Sequence, residues 1–187
     1  MITFDRSVKI SDIQDDYTRE DLIEATNEAI DYVLELIRDL PDSYVTFQPV
    51  DHEAYDPAAA TQGEMNIAWT LGHVVVHMTA TSEEAAARAS MLARGVVVEQ
   101  RMRSEVPWET VTTVQQLIDR LEESRRMQLA YLDAWPDEPN LEIVYELYER
   151  WAGRINAVGM MLSGLAHDQD HYKQLAEIIR QAQDAGV

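Results

Sequence analysis

The chain has 187 residues, 46% hydrophobic and 26% charged, the balance of a soluble globular protein long enough to bury one sizeable core. Its formal net charge is −19, from 34 acidic residues against 15 basic ones, a field that repels nucleic-acid phosphates and anionic membrane surfaces. Cysteine is absent, which excludes disulfides, thiolate zinc sites and a cysteine nucleophile; any thiol used here must arrive on a small molecule.

No run of eighteen apolar residues occurs, so no membrane span is expected. The opening MITFDRSVKISDIQDD mixes charges early and lacks the apolar core of a signal peptide, which points to the cytoplasm. The basic clusters at 101–103 and 125–126 are too small for a nucleic-acid footprint. No linker or composition shift divides residues 1–187, and a single domain is expected.

In chain order, the first helix is predicted from about Arg19, after Thr18 as N-cap, to Leu40, where Pro41 closes it. Residues 41–65 carry three prolines and no sustained period, and read as a long ordered loop of the kind that is often functional. A second helix is predicted from after Asn66 to Arg94, ending at Gly95. Its valine-rich centre suits a strand, but almost thirty continuous residues suit one buried helix better. The third opens at Thr112 or Thr113, with Gln115 or Gln116 completing a capping box, and runs to Trp135 and Pro136. A shorter helix is expected over 140–151, and the last long one over about 156–183. Long amphipathic helices without alternating strands specify an all-α four-helix bundle with an additional short helix before the last.

Four of the five histidines form two pairs at i, i+4 spacing, His73 with His77 and His167 with His171, and His52 stands apart in the loop. Five histidines placed at random in such a chain would give even one such pair roughly one time in ten. Residues four apart project from the same face of a helix, so His167 and His171 can aim at one point. Neutral imidazole suits Zn²⁺ or Ni²⁺, and the second helix offers His73 or His77 as a third ligand. Three protein ligands and an open position make the catalytic type of metal site. A single such pair is more often packing or surface chemistry; two pairs on long helices of a bundle favour metal. An asparagine stands eleven residues before both His77 and His167, which suggests equivalent depths along two helices.

Other candidates are weaker. Asp168 and Asp170 can hold a ligand imidazole's other N–H, or be solvated helix acids. Glu83 and Glu84 are expected to be exposed, and Trp69 to be core rather than a pocket wall. Arg125 and Arg126 can meet an anionic substrate or pair with surface acids, the commoner outcome. No Ser–His–Asp set, P-loop or GxGxxG occurs, and no catalytic residue is assigned.

WTLGHVVVHMTATSEE resembles the second-helix motif of the DinB-like superfamily: a tryptophan, a hydroxylic residue, then a histidine eight positions after the tryptophan. HDQDHYKQLAEI is similar to that family's H-x-x-x-H on its fourth helix. The resemblance covers essentially the whole chain. It implies a four-helix bundle, often dimeric, with a divalent metal on His77, His167 and His171; His73, four after Trp69, is the alternative third ligand. It also implies a small-molecule partner. Characterised relatives include bacillithiol-dependent S-transferases, mycothiol-dependent maleylpyruvate isomerases and the metal-binding domain of ergothioneine-forming sulfoxide synthases. The expected function is therefore a metal-dependent thiol S-transferase or isomerase using an exogenous low-molecular-weight thiol. A non-catalytic metal- or ligand-binding stress protein and a metal-assisted hydrolase are the alternatives. The chain departs from the family where an acidic residue usually follows the second-helix histidine; Thr79 and Thr81 occupy that neighbourhood.

Overall fold

A computed structural model of the chain describes residues 1–55, 65–97, 106–146 and 149–187. Four long helices carry the fold: α1 (Arg19–Ile37), α2 (Leu71–Ala93), α3 (Val114–Asp133) and α4 (Ala157–Ala185). Single 3-10 turns lie at Ile10–Asp12, Gln14–Asp16, Asp42–Tyr44 and Trp108–Thr110.

Local chemistry sets most helix ends. Thr18 and Asp21 form a reciprocal capping box at α1, and Thr113 and Gln116 form one at α3. The Asn156 side chain accepts from the Gly159 N–H and starts α4. The second helix starts later than expected: Thr70, not Asn66, is the cap, accepting from the His73 N–H. It closes as a Schellman turn, with Gly95 N–H bonded to Leu92 and Val96 N–H to Met91.

α2 packs chiefly against α4, then α3, while α1 touches α3 and α4, so α1 and α2 are diagonal to each other. Arg19 reaches Trp135 and Arg125 reaches Asn27 and Asp31, which makes α1 and α3 antiparallel. Arg120 meets Thr79 and Glu83 while Val111 lies at Gly72, so α2 and α3 run the same way. Against α4, His77 meets His167 and Ala85 meets Gly164, an antiparallel pair. The core has two parts, one reaching Met78 on α2 and starting at Tyr172 on α4, the other starting at Ala86 on α2 and ending at Ala166 on α4. The histidines of α4 sit in the polar layer between them.

One expectation about the stretch before α4 is corrected. The short helix over 140–151 is absent among the described residues of that stretch. Tyr145 instead pairs with Ile155 in an isolated antiparallel bridge, and Gly153 turns the chain at φ +79°, a conformation open to glycine. Local periodicity cannot register that non-local pairing. From Leu71 to Met78 every residue of α2 is buried or half-buried within this chain, with Val45 fully buried beside it and the Gly72 N–H bonded to the Val45 carbonyl. Among the described residues no helix is long and apolar enough to cross a membrane.

Candidate metal centre

The α2–α4 seam gathers three imidazoles. His77 Nε2 lies 3.0 Å from His167 Nε2, and His171 Nε2 lies 3.4 Å from that same atom. One nitrogen from each of the three falls within 4.8 Å of the others, so the three can hold a metal ion. Tetrahedral zinc, with Zn–N of about 2.0–2.1 Å, sets its nitrogens roughly 3.3–3.4 Å apart, close to both separations. Among the described residues this is the one group of three or more metal-binding side chains.

The neighbours suit that use. His171 Nδ1 is 2.8 Å from Gln174 Oε1, and with the proton on Nδ1 it donates there, leaving the Nε2 lone pair for the shared point. His167 Nδ1 is buried without a hydrogen-bond partner, 3.9 Å from the Asp168 carboxylate. Asp168 is buried and accepts from the Ser82 hydroxyl at 2.7 Å. Burial raises its pKa, opposed by His167 and then Ser82. Asp170 is exposed and turned away, in an ion pair with Arg6.

His73 stands outside the cluster. Its ring stacks between Trp69, at 4.4 Å, and Trp108, at 4.6 Å and parallel within 1°. Trp69 also lies 4.6 Å from His77 and 5.9 Å from His171, and it walls the pocket after all. That position follows from Trp69 lying outside the helix, just ahead of the Thr70 cap.

A cavity of about 1330 Å³ opens over the three histidines, larger than the roughly 300–1,000 Å³ of common ligand pockets. The loop contributes Val50 and His52 to its wall. Glu83 and Glu84, expected to be exposed, are not: Glu83 pairs with Arg120, and Glu84 with Arg88 inside the cavity wall. The cue lay in EEAAARAS, where one arginine sits among alanines one turn after Glu84. Arg125 pairs with Asp31 and Glu122. The basic cluster at 101–103 lies outside the described residues.

A family model described as the DinB superfamily matches residues 15–175. The chain belongs to the DinB superfamily. No curated protein and no solved structure gives a match to it. The DinB match runs from before α1 into α4 past His171, so it spans the whole histidine cluster.

Proposed function

We propose that His77, His167 and His171 hold a divalent metal ion, zinc or nickel, and that the protein is a metal-dependent thiol S-transferase or isomerase. The observation that carries this is one nitrogen from each ring turned to a shared point at the wall of a large pocket. Such a metal supplies the acidity that keeps a thiol as thiolate near neutral pH. The chain has no cysteine, so the thiol is an exogenous low-molecular-weight one. Gln174 fixes the tautomer of His171, and Trp69 shields one side of the ring cluster from water. In transfer, the thiolate sulfur bonds to an electrophilic carbon and the leaving group departs with its electron pair. A cytoplasmic setting, where small thiols stay reduced, suits that chemistry.

Elemental analysis of protein purified without an affinity tag tests the metal. Retention of full metal content in a His167→Ala/His171→Ala variant sinks the assignment. Loss of metal in His73→Ala but not in His77→Ala shows that the third ligand was misassigned. For the chemistry, Co²⁺-loaded protein is titrated with bacillithiol, mycothiol, glutathione and coenzyme A, and a thiolate-to-cobalt absorption band is expected with one of them. Slow ester cleavage without any thiol band favours the hydrolase instead.

We also propose a homodimer. Its support is the family resemblance, since α2 offers no uncovered apolar face. Salt screens the repulsion between two chains of charge −19, so mass by light scattering should rise with ionic strength. A monomer mass at every salt refutes it.

A further inference from the structure

The cavity has a second polar end. Arg88 lies eleven residues after His77 on α2, a rise of about 16 Å, or three helical turns, and its side chain leans back toward the histidines. The guanidinium is 2.7 Å from Glu84, with only 4% and 8% of the two side chains exposed. Arg88 also donates to the Tyr145 hydroxyl and lies over that ring, 5.0 Å from its centre. Tyr145 is fixed by its backbone bridge to Ile155. All three line the same cavity as His77, His167 and His171. Between the two ends the wall is mostly small or apolar, with Ala85, Met160 and Gly164.

A buried ion pair is a poor way to stabilise a bundle, because desolvation offsets most of its attraction and apolar residues of similar size often do as well. Set in a cavity wall, the same pair is a prepared anion site. The cation is already desolvated, and an incoming carboxylate replaces one charge-assisted contact with another. The planar guanidinium matches a carboxylate, and the Tyr145 hydroxyl can add a hydrogen bond. In a chain of charge −19, a buried cation offsets the repulsion that an entering acid meets.

We infer that Arg88 and Tyr145 form the acid-recognising end of this pocket, with Glu84 as the displaceable counter-ion. Because the guanidinium reaches back to Glu84, seven residues after His77, the ligand is then an elongated molecule carrying a carboxylate about two helical turns, or roughly 10 Å, from the histidines. This rests on the reading of the cavity as a small-molecule site, and it stands whether or not the other end of the ligand is a thiol.

The test is calorimetric titration of the full chain, with and without Co²⁺, using 8-mercaptooctanoate and 8-mercaptooctan-1-ol as probes. The acid is expected to bind at least about ten-fold tighter than the alcohol, with or without metal. Glu84→Gln should widen that ratio by removing the negative charge that competes with the acid for Arg88. Glu84→Gln/Arg88→Met, which removes both charges together, should bring it to one while the alcohol keeps its affinity. Equal binding of acid and alcohol by the unaltered protein overturns the inference. So does a double variant that melts lower but keeps the ratio, because the pair then only anchors Tyr145. The cobalt–thiolate band reports separately on the thiol reading: its absence beside an intact acid preference removes that reading and leaves this one.

Discussion

Asp168 Oδ1 stands 3.9 Å from His167 Nδ1, both atoms buried and neither with a hydrogen-bond partner. The separation exceeds a hydrogen bond by several tenths of an ångström, yet donor and acceptor are complementary. Engaging His167 through Nε2 leaves the ring proton on Nδ1, facing that carboxylate. Asp168→Asn keeps the shape and removes the charge. Metal affinity, measured by competition with a chromophoric chelator, should fall about 10–100-fold. An unchanged affinity would mean that Asp168 serves only Ser82, whose hydroxyl it accepts.

Trp69 gives the site an optical handle. Its ring lies 4.6 Å from that of His77 and 5.9 Å from that of His171. A paramagnetic ion such as Co²⁺ should quench tryptophan emission on binding, and Trp69→Phe should remove most of the quenched fraction. Quenching of the same amplitude in Trp69→Phe would show that the ion binds elsewhere.

The sequence made legible what is local. Caps at Thr18, Thr113 and Asn156 act over three residues, and each marks a true helix start. The i, i+4 spacing put His167 and His171 on one face because helix geometry alone decides that. Which second-helix histidine meets them depends on how α2 is rotated against α4, a packing outcome absent from the spacing. Asn66 and Asn156 suggested equal depths for His77 and His167, whose rings do meet, although only Asn156 caps a helix. Tyr145, Glu84 and Arg88 came together through a bridge to Ile155 and through cavity burial, neither of which leaves a period in the chain.

Close approach of α2 and α4 depends on Gly164. A Cβ there would come within 2.9 Å of the Ala85 Cβ, closer than two carbons tolerate. Gly164→Ala should therefore destabilise the protein by about 1–3 kcal/mol, as overpacking does. Melting should fall by roughly 2–4 °C for each kcal/mol in a chain of this size. Adding Ala85→Gly removes the clash and should restore part of the loss, offset by the cost of glycine inside a helix, about 1 kcal/mol. Equal melting of Gly164→Ala and the unaltered protein would show that the helices separate at no cost.

Arg120 on α3 and Glu83 on α2 tie together the two helices that run the same way, each with 12% of its side chain exposed. Arg120 also donates to Thr79, and burial lowers its pKa, opposed by Glu123. Removing one partner strands a poorly solvated charge, so Arg120→Met should cost about 3 kcal/mol, at the low end for buried pairs because some solvent contact remains. Removing both charges, with Glu83→Gln added, should recover much of that cost, since no uncompensated carboxylate is left against Thr79 and α3. Denaturant unfolding of the two single variants and the double one forms a complete cycle. A double variant that loses as much as the two singles added together would mean that Arg120 and Glu83 act independently, with the pair contributing nothing of its own.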